Sequence, residues 1–218
     1  MMTKFDFNDG NGPVPAHRHS NGGGWVADTA TVAGTAYVGP YARVFDVAQV
    51  SDDARVSGNA RVSGNARVSG NALVFDDAQV SDNAQVFDNA EVFGNAEVFG
   101  NAKVYGKAQV FGYAEVYGNA KVYGKAQVFG NAEVYGNTEV YGKSWVSGYA
   151  QVYGKARVSG YALVYDHAEV SDNAFVSDNA FVSGYAKVSG NVLVSGDDTN
   201  EDIFIEMKGK RYKLVEVE

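Results

Sequence analysis

Residues 103–120 read KVYGKAQVFGYAEVYGNA, and residues 121–138 read KVYGKAQVFGNAEVYGNT. The two stretches differ at two places, Tyr113 against Asn131 and Ala120 against Thr138. Each contains a six-residue unit three times over, as in Val-Tyr-Gly-Lys-Ala-Gln from Val104 to Gln109. Outward from here the hexad continues without insertion or deletion, with a valine at every sixth position from Val26 to Val194, 29 in all. Four residues after each valine stands a small residue, nearly always alanine, as at Ala60, Ala66 and Ala72; Thr138, Ser144 and Val192 are the exceptions. Two residues after each valine stands glycine or aspartate, with Pro40 the lone departure.

Each position has a physical reading. Valine is β-branched and favours extended backbone. Its neighbours on both sides are polar or aromatic, an out-in-out pattern that predicts a short strand. Gly-Asn and Asp-Asn tolerate positive φ and predict a turn. Alanine suits a crowded inner corner. One hexad is then one strand and one turn, which cannot bury its valine alone, so the units must stack. The longer period gives the size of the coil. Lys107, Lys125 and Lys143 recur every 18 residues, as do Glu97, Glu115 and Glu133. Three hexads per coil predict an all-β chain: a single-stranded parallel β-helix, or triangular β-solenoid, of nine to ten coils. At a strand spacing of ~4.8 Å the rod is about 45 Å long.

Composition removes several function classes. The 218 residues contain no cysteine, which excludes disulfides, thiolate metal sites and a cysteine nucleophile. Three histidines leave little for metal or general-base chemistry. A net charge of −8 argues against a nucleic-acid backbone as partner. No apolar run approaches the ~18 residues of a membrane span, and the opening MMTKFDFNDGNG has no apolar core of the secretory-signal kind. A cytoplasmic location is expected, without membrane or nucleic acid as partner and without cofactor or metal.

The unit Val-Ser-Gly-Asn-Ala-Arg resembles the hexapeptide-repeat signature of the left-handed parallel β-helix, over residues 26–196. That resemblance alone implies left-handed coils, since the general crossover rule favours right-handed ones. The stretch HRHSNGGGWV at 17–26 resembles the openings of uncharacterised hexapeptide-repeat proteins of bacteria and phages, which would place the chain in a host cytoplasm or a virion. The expected organisation is an N-terminal cap at 1–25, the solenoid at 26–196, and at 197–218 a polar linker, DDTNED, followed by a C-terminal β-hairpin turning at Lys208-Gly209-Lys210. Ile203-Phe204-Ile205 and Leu214-Val215 are too apolar for a free tail and are expected to pack near Val188 and Val194, or on a partner.

Many similar proteins are acyltransferases, and the resemblance implies a catalytic histidine beside a loop thrown out of a coil. Here no hexad carries an insertion, and the solenoid's one histidine, His167, occupies a turn position. The similar γ-class carbonic anhydrases imply three zinc-binding histidines on neighbouring coils, and His17, His19 and His167 are too far apart for that. His17 and His19 read as polar cap residues, because a metal site needs three or four ligands. Ice-binding relatives present ranks of threonine, and only Thr29, Thr31, Thr35 and Thr138 lie in this solenoid. No catalytic, cofactor or metal residue is therefore expected.

The 18-residue period sorts the outward residues onto three faces. One carries Glu97, Glu115, Glu133 and Glu169 with Phe99, Tyr117, Tyr135 and Tyr153; the second carries Arg67, Lys103, Lys121 and Arg157 with Phe87, Tyr105, Tyr123 and Tyr141. The third carries Phe75, Phe93, Phe111 and Phe129 in one column, continued by Tyr165, and Trp145, Leu163 and Phe181 in the column across the valines. Glutamine flanks its rings where charges flank the others, so this third face is the expected interaction surface. The reading is a non-enzymatic scaffold or protein-interaction rod that self-associates or binds another protein. By similarity a trimer comes first and a dimer second. The alternatives are a solenoid whose aromatic ladders stack on glycans or other ligands and, third, a divergent acyltransferase.

Overall fold

A computed structural model describes residues 3–196, 203–207 and 210–213. Every hexad from Trp25 to Val194 contributes one strand, most of them two residues long, such as Gln109–Val110, Glu115–Val116 and Lys121–Val122. Up to the last coil, each pairs in parallel with the strand 18 residues on, so Gln109 lies beside Gln127 and Val110 beside Val128. The ladder continues past the strand, as where the Phe111 amide donates to the Val128 carbonyl at 3.0 Å. Three hexads thus close one coil of an all-β, parallel solenoid, and residues 18 apart stack directly.

Stacking explains the hexad position by position. The hexad valines from Val38 to Val182, and the small residue four positions after each up to Ala180, are at most 4% exposed, and together they form one continuous core. The corner two residues after the valine has positive φ, as at Gly112 (φ 76°). A Cβ there would come within 3.0 Å of the Gly130 amide nitrogen on the next coil, so glycine answers both to the backbone conformation and to the coil spacing. The corners of two whole coils are instead aspartates, also at positive φ: Asp166, Asp172 and Asp178 in one, and Asp76, Asp82 and Asp88 in the other. The side chains of the last three accept hydrogen bonds from the amides of Gly94, Gly100 and Gly106. Aspartate offsets its backbone cost by capping the next coil.

Among the described residues the three faces are sheets of 12, 12 and 9 strands. The glutamate and lysine sheets are longer because each takes a terminal hairpin. At the N-terminus, Lys4–Phe5 and Val14–Arg18 add antiparallel to Trp25–Ala27 and extend the glutamate sheet. At the other end, Ile203–Met207 and Lys210–Lys213 add antiparallel to Val192–Gly196 and extend the lysine sheet, with Ile205 opposite Val194. The expected linker at 197–202, the Lys208-Gly209 turn and Leu214-Val215 lie outside the described residues. The phenylalanine sheet takes no hairpin, but at its N-terminal edge the Gly24 amide donates to the Val38 carbonyl at 2.9 Å. A Cβ on Gly22 would lie 2.3 Å from that same oxygen and one on Gly24 2.4 Å from the Gly39 carbonyl, while Gly23 between them has a φ of 74°. No helix among the described residues is long and apolar enough to cross a membrane.

Candidate functional site

The phenylalanine sheet brings the expected interaction residues onto one face. Phe75, Phe93, Phe111 and Phe129 stack with ring centroids 4.8, 4.8 and 4.9 Å apart and planes within 5°. Trp145, Leu163 and Phe181 stand in register across the valines. Trp145 and Phe181 are 45% and 41% exposed, while the phenylalanine rungs, Leu163 and Tyr165 are half-buried. The first column is interrupted before Tyr165. Ser147 occupies the intervening rung, and the Trp145 ring turns edge-on to Phe129 at 6.1 Å instead. Tyr165 shares the face but is not a rung of the ladder.

Beside the phenylalanines runs a chain of amides. Gln127 Nε2 donates to Gln109 Oε1 at 2.7 Å, and Gln109 Nε2 donates to Glu91 Oε2 at 2.8 Å. From Leu73 to Phe181, Glu91 is the only formally charged residue in the two outward columns of this sheet. The long glutamines spend their polar ends on each other and leave the rings bordered by neutral groups.

The other two faces use the same ladder with different neighbours. On the glutamate sheet, burial and the flanking Glu133 and Glu97 push the Glu115 carboxyl above its ordinary value. The Tyr117 hydroxyl donates to Glu133, and burial together with that carboxylate makes Tyr117 a weaker acid than usual. On the lysine sheet, Lys121 pairs with Glu139 at 2.9 Å, and burial with the nearby Glu139 pushes Tyr123 up to about 12. These two faces hold ionised groups that must stay hydrated.

The ladders also limit what can bind them. Rings 4.8–5.2 Å apart cover one another's faces, so an inner rung offers solvent only its edge. Stacking on a sugar needs a free ring face, and among the ladder rungs only the ends have one.

The histidines are not brought together. His17 Nδ1 lies 2.8 Å from Asp28 Oδ1 and is exposed, whereas His19 is buried with Nε2 3.1 Å from the Ala36 carbonyl. His167 is an exposed turn residue, sandwiched between Tyr149 and Tyr185 at 5.1 and 4.9 Å. No group of three or more potential metal ligands occurs among the described residues.

Two features go beyond the sequence reading, which expected an N-terminal cap at 1–25 without its aromatic contacts. Phe5 stacks on Trp25 at 4.4 Å, and Phe7, 1% exposed, stacks on Phe45 at 5.0 Å, so the N-terminal segment covers the first coils of the glutamate sheet. Arg18 lies over the Trp25 ring at 4.2 Å and locks the turn. The alternation in Phe5-Asp6-Phe7 was the available signal. The second feature is a groove on the corner between the phenylalanine and glutamate sheets, closed at its ends by Tyr41 and Tyr113.

Comparison with known proteins agrees with this architecture. The family described as the YdcK beta solenoid repeat matches residues 48–64, 54–69, 60–75, 66–82 and 150–166. Among solved structures, the chain is similar to a UDP-N-acetylglucosamine acyltransferase of Arabidopsis, with a TM-score of 0.50 and 11% identity over 84% of this chain and 72% of that one. At that identity the likeness is one of fold. No curated protein matches the chain.

Proposed function

Taking the chain as a hexapeptide-repeat β-helix, we propose that it is a non-enzymatic scaffold rod that self-associates through its phenylalanine sheet. The observation that carries this reading is the single charge, Glu91, on the outward columns from Leu73 to Phe181, in a chain of net charge −8. Two copies repel wherever carboxylates meet, and this face confines that repulsion to Glu91, whose carboxylate accepts a hydrogen bond from Gln109. Its rungs could expose several hundred Å² of apolar surface, the range in which patches on soluble proteins become interaction sites. A second copy also matches the ladder in pitch, because its rungs repeat at the same 4.8–4.9 Å.

Similarity puts a trimer first, but one flat patch reverses that order. A two-fold axis sets the patch against itself, whereas a three-fold ring needs two complementary surfaces per subunit. The preferred assembly is a dimer. The likeness to an acyltransferase supports no transferase activity here, because His167 is stacked between two tyrosines and no hexad from Trp25 to Val194 throws out a loop. Sedimentation velocity on the wild-type chain tests the proposal. A species of about twice 23.2 kDa at micromolar concentration is expected, and a monomer there would sink it. Titration with acetyl-CoA in a calorimeter is expected to give no stoichiometric heat.

A further inference from the structure

We propose that the groove between Tyr41 and Tyr113 is a binding site for a linear acidic oligosaccharide, about four sugar rings long, held with its carboxylate end at Arg43 and Arg61. The site is separate from the phenylalanine ladder, and its test does not depend on the oligomeric state.

The groove arises from the coil period. Tyr41, Asn59, Asp77, Asn95 and Tyr113 occupy the same corner on five successive coils. The three short side chains between the tyrosines leave a notch four coil steps long, about 19 Å at the usual strand spacing. Arg43, Arg61, Gln79 and Glu97, on the adjoining glutamate sheet, complete its wall, and the open groove has a volume of about 540 Å³.

The two tyrosines are unlike the ladder rungs. Tyr41 is 73% exposed and Tyr113 64%, and neither has a ring partner among the described residues. Farther along the same corner, Tyr149, His167 and Tyr185 cover one another. Tyr41 and Tyr113 therefore keep free ring faces, which the apolar face of a pyranose can meet. Between them the lining is planar and polar. Asn59 donates to Asp77 at 3.0 Å and Gln79 donates to Glu97 at 3.1 Å, leaving fixed acceptors and donors for sugar hydroxyls.

Charge gives the site a direction. Arg43 and Arg61 stand side by side in register on adjacent strands, a like-charge pair that is unfavourable by itself. No carboxylate makes an ion pair with either within 4.0 Å among the described residues. Burial and the neighbouring Arg43 lower the Arg61 pKa against the opposing pull of Asp9, which lies beyond ion-pair distance, and Arg43 donates to the Phe7 carbonyl at 3.3 Å. A ligand carboxylate would complete them with charge-assisted hydrogen bonds. The far end, at Glu97, favours hydroxyls instead.

A peptide fits less well. An extended peptide binds by adding to a strand edge, and here the corner amides of Asn59, Asp77 and Asn95 already donate to the carbonyls of Asp76, Gly94 and Gly112. Asp77 and Glu97 likewise oppose a nucleic-acid phosphate chain.

The experiment is calorimetric titration of the full chain with three probes: a linear tetrasaccharide carrying a single terminal uronic acid, the neutral hexose tetramer of the same linkage, and a tetraglutamate peptide. The acidic sugar is expected to bind at least about tenfold more tightly than the other two, and to lose about tenfold in Arg61→Gln and in Tyr113→Ser. Because Arg61 also lies over Phe45 at 5.0 Å, its substitution affects the N-terminal cap; Tyr113 stands free, so its variant keeps the test decisive. Tyr149→Ser, beyond the groove, is expected to bind as wild type. The proposal is overturned if the acidic tetramer shows no binding at millimolar concentration, if the peptide binds equally well, or if Tyr113→Ser leaves the affinity unchanged.

Discussion

The phenylalanine sheet and the glutamate sheet are built from the same parts and differ in what lies beside the rings. Each stacks four aromatics over buried valines, at 4.8–4.9 Å on one and 4.8–5.2 Å on the other. On the glutamate sheet the rings lie beside Glu115 and Glu133, and Tyr117 donates to Glu133. On the phenylalanine sheet the flanking amides bond to each other, and Trp145, Leu163 and Phe181 follow. A ladder by itself strengthens coil-to-coil stacking by ~0.2–1 kcal/mol per adjacent pair. Its neighbours decide whether the face prefers water or another protein surface.

The comparison requires the core beneath the two faces to be equivalent, and the largest effects test that. Val110, under the phenylalanine sheet, and Val116, under the glutamate sheet, are both fully buried. Replacing either by aspartate leaves an unpaired charge in the core and is expected to abolish folding equally. Circular dichroism showing one variant folded and the other unfolded would break the equivalence. Replacing either by alanine is expected to cost about 1–3 kcal/mol.

A smaller effect of opposite sign is expected at Thr138, where the glutamate sheet turns toward the lysine sheet. Its buried hydroxyl has no hydrogen-bond partner among the described residues, whereas the Ser144 hydroxyl donates to the Tyr141 carbonyl at 2.8 Å. Thr138→Ala restores the residue found at Ala120 and is expected to stabilise by about 1 kcal/mol, and Ser144→Ala to give no such gain. Chemical denaturation measures both.

Much of this was legible because the hexad never slips. An unbroken valine at every sixth position and substitutions that recur at 18 fixed three sides per coil, the columns on each side and the Val and Ala core. The fate of the rings was less legible. Tyr165 shares a column with the phenylalanines, but Ser147 stands between them, and Trp145 turns edge-on toward Phe129, an orientation no spacing encodes. Glycan stacking on the ladders was a natural reading of aromatic columns; the coil pitch hides the ring faces, whereas Tyr41 and Tyr113 are exposed with no ring stacked on either among the described residues. The cap formed by Phe5 and Phe7 depends on an antiparallel return to Trp25–Ala27, outside the hexad that made the rest readable.

The smallest expected effect tests the charged side of the comparison. Glu115 has a folded pKa above its ordinary value, so the folded state binds this proton more tightly than the unfolded state does. Its stabilising contribution is complete below the unfolded pKa and is lost as pH rises through the raised folded one. Glu115→Gln removes that loss. It is expected to raise the Tm by about 1–2 °C at neutral pH and to change nothing below the carboxylate titration range. A gain that is the same at both pH values would assign the effect to something other than ionisation.

The central claim, that the phenylalanine sheet and not the glutamate sheet joins two copies, is tested most directly by light scattering on paired variants. Phe111→Ser with Trp145→Ser disrupts the first face; Tyr117→Ser with Tyr135→Ser disrupts the second by the same number of rings. The account predicts that the first pair falls to the monomer mass of 23.2 kDa while the second keeps the wild-type oligomer. An oligomer that survives the first pair, or dissociates equally with the second, would contradict it.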